Sequence, residues 1–238
     1  MIEKRCIIAC KVLWREINFL VSKSAFNYDV IYLEQGLHNE PDKLRSELQD
    51  KITEIEKKYE YILIGYGLCS NGIAGISSTC ATLVIMRGHD CITFFLGTKE
   101  RYREYFDKFP GTYWYNTGWI ETGETPSKEY YERHYKEYVD KYDEESAEFL
   151  IESEMEWLTK YNTVSYINQN IIDEKKYIEL SKEAADYLKW QYHEFEGSLV
   201  LLKDWIDGNW DDERFLILLP DEVIAPSFCE STIIKKQD

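Results

Sequence analysis

Cysteine and histidine recur where a parallel sheet would place its chemistry. Cys10 closes the apolar run CIIAC, and His38 lies in LEQGLHNEP, after YDVIY. Cys69 stands inside Gly65-Tyr66-Gly67-Leu68-Cys69-Ser70-Asn71-Gly72, directly after YILI, and Arg87-Gly88-His89-Asp90-Cys91 follows CATLVIM. Soft thiolates with one imidazole favour Zn²⁺, and a tetrahedral Cys3His set is a common way to hold it. Cys10, His38, Cys69 and Cys91 are therefore the candidate metal ligands. With no C-x-x-C pair in the chain, only the fold can bring them together.

The neighbours of these residues have roles to match. Gly67 and Gly72 flank Cys69 and let the backbone approach a bound group without a Cβ in the way. With His89 they are the candidate cofactor-binding residues. Asp90 suits the orienting of an imidazole, and Arg87 suits pairing with an anionic substrate group. Cys69, Asp90 and Arg87 are the candidate catalytic residues. A metal-free alternative makes Cys69 a nucleophile at a helix start with His89 as its base, and the blandest makes the cysteines small buried hydrophobes. A phosphate cradle fits less well. The third glycine of G-x-G-x-x-G would fall on Ser70, and no Walker Lys-Ser/Thr follows. His134 and His193 lie in acidic contexts that read as helical surface.

Strands and helices must alternate to carry these ends. CIIACKVL, YDVIYLE, YEYILIGYG and CATLVIMRG have strand length and strand composition. Between the second and third, PDKLRSELQDKITEIEKKY places Leu44, Leu48, Ile52 and Ile55 on one helical stripe, with Pro41 in the first turn. LGTKERYREYFDKFPG reads as a helix capped by Thr98 and stopped at Pro110-Gly111. Composition then shifts: residues 121–160 hold 13 Asp/Glu against 5 Lys/Arg, threaded with tyrosine. Thr125-Pro126 is the expected helix start, followed by one long helix or two shorter ones. Tyr131, Tyr135, Tyr138 and Tyr142 keep helical spacing there. TVSYINQ then reads as a strand, KKYIELSKEAADYLKWQY and SLVLLKDWIDG as helices, and ERFLILLP as the final strand.

The fold class is α/β: a mostly parallel sheet with helices on both faces, either as two lobes or as one sheet with a helical excursion near 125–160. Residues 1–120 form an α/β half carrying the strand-end motifs, 121–160 an acidic Tyr-rich helical segment, and 161–238 a second α/β half completing the same domain.

Bulk properties narrow the partners. Lys and Arg number 28 against 44 Asp and Glu, a formal net charge of −16. No nucleic-acid partner and no anionic membrane surface is expected of such a chain. A small molecule or metallocofactor remains, with a protein partner for the acidic segment Lys128 to Tyr161 as a further expectation. The start, MIEKRCIIACKVLW, lacks a signal-peptide pattern, and no run approaches a membrane span. Cytoplasmic residence is expected, with Cys6, Cys10, Cys69, Cys80, Cys91 and Cys229 reduced.

EQGLHNEPDKL, GYGLCSNGIAGI, RGHDCITFFLGTKERY and PGTYWYNTGWIE together resemble the family catalogued as domain of unknown function 1638, bacterial and archaeal proteins frequent in anaerobes. The resemblance runs from CIIACKVLWREI to ERFLILLP. Its motif positions fall on Cys10, His38, Gly67, Cys69, Asp90, Cys91, Gly97, Pro110, Gly111 and Gly118. It implies no established activity. It does imply an association, in some organisms, with corrinoid-dependent one-carbon metabolism, which makes a corrinoid or iron the alternative to zinc.

Overall fold

The structure is a computed structural model that describes residues 3–227, 229 and 232–237. The chain divides into two compact units, residues 1–102 with 197–238 and residues 103–196.

The first unit begins with β1 (Arg5–Cys10), a 3-10 turn (Lys11–Leu13) and α1 (Trp14–Val21). Next come β2 (Tyr28–Leu33), a turn at Leu37–Asn39, α2 (Pro41–Ile55), β3 (Tyr61–Gly65) and β4 (Thr82–Met86). The short helix α3 (Cys91–Leu96) and α4 (Lys99–Lys108) follow, and the chain passes into the second unit within α4. That unit holds β5 (Thr112–Tyr115), α5 (Thr117–Thr122), α6 (Lys128–Lys141), α7 (Glu144–Glu154), β6 (Thr163–Asn168), α8 (Lys175–Leu188) and β7 (Gln191–Glu196). The chain returns through α9 (Val200–Asp207), β8 (Phe215–Leu218) and a small antiparallel pair, β9 (Ile224–Pro226) and β10 (Ile234–Lys236).

The first sheet has the order β2-β1-β3-β4-β8. Its first four strands are parallel, and β8 closes the edge antiparallel to β4. All of β1 is buried, as are β3 and β4 after their first residues. Neighbouring strand residues point to opposite sides, so both faces are covered, as in parallel sheets generally. Trp205 of α9 is fully buried and donates its indole N–H to the Val84 carbonyl at 3.1 Å. The predicted stripe of α2 is observed: Leu44, Leu48, Ile52 and Ile55 are buried, with Pro41 in the first turn. Thr98 accepts the Arg101 N–H as the expected cap of α4.

Beyond the end of α2, Glu56 is a buried carboxylate with a full set of donors. It accepts the Ser78 hydroxyl at 2.7 Å, the Thr79 N–H at 2.7 Å and the Thr79 hydroxyl at 2.6 Å. These bonds tie the helix to the turn that enters β4. Burial pushes the carboxyl pKa up, but Ser78 and Thr79 outweigh it and hold it below its ordinary 4.5. A depressed folded-state value contributes stability that is complete above about 4.5 and is lost as pH falls through the lower folded value. Glu56→Ala is expected to destabilise the chain by about 1–3 kcal/mol at neutral pH. In urea titrations the gap to wild type should narrow as pH falls below 4.5; a gap that widened on acidification would contradict this assignment.

In the second unit β5, β6 and β7 form a parallel sheet in sequence order. Its core is Tyr115, Val164, Tyr166, Ala184 and Ala185. Of the two alternatives for the acidic segment, two shorter helices are observed: α6 ends at Lys141, and Asp143 caps α7 by accepting the Ser146 N–H. Other expectations are corrected. The cap of α6 is Ser127, which accepts the Tyr130 N–H, rather than Thr125. Trp190 and the residues after it do not continue α8. Lys189 turns left-handed at φ 57° and the chain enters β7, placing His193 on a strand. His134 is not a simple surface residue either: it sits half-buried between Glu124 and Glu154, at 3.3 and 3.2 Å. Tyr138 of the tyrosine stripe turns onto Glu154, joined there by Tyr130, each at 2.7 Å. Finally, β8 is followed by β9 and β10, so ERFLILLP is not the last strand.

Candidate functional site

Topology selects a crevice. From β1 the chain moves outward to β2, then returns past β1 to β3, so connections leave the carboxyl ends of β1 and β3 in opposite senses. Ligands of open parallel sheets sit at such a reversal. Cys10 is the last residue of β1, and Tyr66 to Cys69 follow β3 directly.

The loops after β3 and β4 are bonded to each other. Leu68 N–H donates to the Gly88 carbonyl at 2.8 Å and Cys69 N–H to the His89 carbonyl at 2.9 Å. Gly67 permits this contact. A Cβ there would stand 2.8 Å from both Cα and N of Asp90, and those are backbone atoms that no rotamer change can move. The bonded pair of loops carries Cys69 beside Asp90 and Cys91. Asp90 caps α3 through the Ile92 N–H at 3.0 Å and accepts the Tyr102 hydroxyl at 3.0 Å.

Cys69, Ser70 and Asn71 all lie in the left-handed region, at φ 45°, 55° and 67°. Such a run of non-glycine residues is strained by about 1–2 kcal/mol per residue, Asn least. It is held from three sides. Gly72 N–H closes the turn onto the Cys69 carbonyl at 2.9 Å, while Arg45 of α2 reaches the Asn71 and Ala74 carbonyls at 2.9 and 2.6 Å. Strain of this kind concentrates at functional sites.

Cys10, Cys69 and Cys91 share one neighbourhood, close enough that charge on one disfavours charge on the others. Burial pushes the Cys10 thiol up to about 11, against the Val12 backbone and the Tyr66 hydroxyl. Burial, then Asp90 and Cys10, pushes Cys69 to about 12. Burial, Asp90 and the two other thiols push Cys91 well above its ordinary range. Asp90 is itself raised, chiefly by burial, and His38 is lowered by burial with Asp90 opposing. Every one of these groups is thus driven towards its uncharged form. That is the reverse of what a nucleophilic thiol requires, since thiolates form where positive neighbours lower the pKa.

The remaining candidates are placed as follows. His38, in the turn after β2, is half-buried, and Asp90 is the carboxyl group that acts on it electrostatically. His89 is exposed, and its backbone carbonyl rather than its ring meets the Cys69 loop. Arg87 faces backbone. Its guanidinium donates to the carbonyls of Asp212 (3.0 Å), Phe215 (3.1 Å), Thr232 (3.1 Å) and Ile234, fastening β4 to the C-terminal segment. Among the described residues, no three His, Cys, Asp or Glu side chains are disposed to hold one metal ion as they stand. The donor types present, three thiols and a nearby imidazole, match a soft cation.

Two residues of this site went unread in the sequence. Tyr102 lies twelve positions beyond its partner Asp90. Tyr66 lies inside the stretch Gly65–Gly72 but reads there as the end of a buried strand. An aromatic residue between two glycines in such a turn was the available signal.

Among the described residues no helix is long and apolar enough to cross a membrane. No curated protein and no solved structure matches the chain. A family model described as Protein of unknown function (DUF1638) matches residues 32–206. That span contains His38, Gly67, Cys69, Gly72, Asp90 and Cys91 and begins after Cys10, and with most of its length matched the chain belongs to this family.

Proposed function

We propose that the chain binds a metal ion, or a metal-containing cofactor, at the carboxyl edge of its five-stranded sheet and uses it in thiolate-dependent transfer of a one-carbon (methyl) group. Cys10, Cys69 and Cys91 supply sulfur donors and His38 an imidazole, with Asp90 held behind them by Tyr102. The observation that carries this reading is that Cys10, Cys69 and Cys91, which end or follow β1, β3 and β4, lie near enough for charge on one to disfavour charge on another. When bound, zinc would keep a thiolate deprotonated yet nucleophilic. Iron or a corrinoid is the alternative occupant, the latter suggested by the family resemblance alone. A reducing cytoplasm suits exposed and half-buried thiols of this kind.

The chain's own part is to hold the donors and exclude competing charge. The bonds from Leu68 and Cys69 to the Gly88 and His89 carbonyls hold the loop of Cys69 to the one that leads into Cys91, while burial favours the protonated thiols until a cation arrives. A metal-free thiol enzyme using Cys69 is the weaker reading, because that thiol is raised and its proposed base, His89, is exposed.

Proton counting tests the proposal. Thiols that are protonated in the empty site must release protons on binding, about two to three per ion for three cysteines. Zinc added to metal-free protein at pH 7, in buffers of different ionisation enthalpy, should show that release by calorimetry. Binding without proton release, or no binding, would count against the reading.

A further inference from the structure

The helical layer of the second unit encloses a cavity of about 320 Å³, a size that takes a small molecule. Leu180, Glu183, Ala184 and Tyr187 of α8 line it at helical spacing, so they share one face. Tyr115 of β5 and Ile120 of α5 complete its apolar wall. Tyr115 donates its hydroxyl to the Pro126 carbonyl, which engages the polar end of that side chain. The Tyr187 ring lies 6.4 Å from the Tyr131 ring of α6, which extends the aromatic surface.

The rest of the wall is polar and carries charge. Glu129 of α6 and Glu183 of α8 both line the cavity as exposed carboxylates. Neither has an ion pair or a side-chain hydrogen bond among the described residues, and the Thr125 hydroxyl beside them is likewise unbonded. Lys128 also lines the cavity, but its ammonium pairs with Glu132 at 3.4 Å. The charge left unanswered there is therefore negative. Glu183 is the telling residue: it stands on an otherwise apolar helix face, between Leu180 and Tyr187, with no cation to meet it.

We propose that this cavity binds a small organic amine in its protonated form, an apolar or aromatic body that carries one ammonium group. The inference stands on the second unit alone and is independent of the thiol cluster. An ammonium offers three donors, and Glu129, Glu183 and Thr125 are acceptors in want of one. The faces of aromatic rings attract such a cation as well, and Tyr187 presents one at the cavity. Ile120, Leu180 and Ala184 take the apolar body out of water. An anionic ligand of the same shape would meet two carboxylates and be refused.

Calorimetric titration of the full chain with three indoles of similar size tests this. Tryptamine carries the ammonium, tryptophol is neutral, and indolepropionate is an anion. Tryptamine should bind saturably at millimolar concentration or below, more weakly as salt is raised, while the other two should bind at least about tenfold less tightly. Glu129→Gln and Glu183→Gln should each lower tryptamine affinity about two- to fivefold, and Tyr187→Leu by a similar factor. All three side chains are exposed, so the variants should fold, which circular dichroism would confirm. Absence of saturable tryptamine binding to wild type would overturn the inference. Equal binding of the three indoles would remove the carboxylates from recognition, and tryptamine affinity unchanged in all three variants would place binding outside this cavity; either result would overturn it too.

Discussion

Cys69→Ala is expected to give a folded chain that no longer retains metal, and Cys91→Ser to behave alike. Cys69 sits in a left-handed turn, half-buried, so losing its sulfur leaves no large void and the turn keeps its fastenings from Gly72 and Arg45. Alanine at φ 45° is strained no more than cysteine there. The serine at 91 preserves volume and hydrogen bonding but offers a hard oxygen in place of a soft sulfur. Both losses should exceed the about 10–100-fold typical of a residue that only supports a metal ligand. Circular dichroism and urea titration would establish that the variants fold, and chelator competition would read their affinity. Retention of full metal in both would remove these thiols from the ligand set.

The second large effect is structural. Gly67→Ala places a methyl group 2.8 Å from Cα and N of Asp90 and 3.0 Å from the Gly88 carbonyl. Relief requires the two loops to part, which breaks the bonds from Leu68 to Gly88 and from Cys69 to His89. Overpacking and the lost bonds together give about 2–4 kcal/mol of destabilisation. The effect should be local as well as global: amide exchange at Leu68 and Cys69 should rise, and metal affinity should fall with it. Gly36→Ala is the control. Its φ of +96° carries a backbone penalty, but a Cβ there meets nothing within 4 Å. It should leave amide protection at Leu68 and Cys69 intact. Equal loss of protection in both variants would show that the close approach at Gly67 is not what joins the loops.

The sequence revealed the framework of this site better than its interior. Strand ends at Cys10, Gly65 and Met86 follow from where apolar runs stop, and the stripe of α2 follows from Leu44, Leu48, Ile52 and Ile55. Those features are local in the chain. The strands β5 and β7 were not legible, because TYWY and QYHEFE carry aromatic, polar and charged residues whose burial depends on the sheet they join. Arg87 shows the same limit. A guanidinium at a strand end suggests an anion, yet its partners are carbonyls more than 120 residues away in the chain. Tyr66 and Tyr102 were hidden for a related reason: which way a hydroxyl points is settled by packing. The direction of the thiol shifts was likewise invisible, since composition places cysteines in a turn without saying that burial and Asp90 keep them protonated.

Metal content of the protein as isolated shows most directly whether the strand-end thiols hold an ion. The chain should be purified without oxygen and without a metal-binding tag, then measured by elemental analysis alongside its ultraviolet–visible spectrum. About one zinc per chain, or one iron or cobalt with the matching colour, that disappears in Cys69→Ala is the predicted result. Protein free of metal and chromophore, which also fails to take up zinc when it is supplied, would contradict the account.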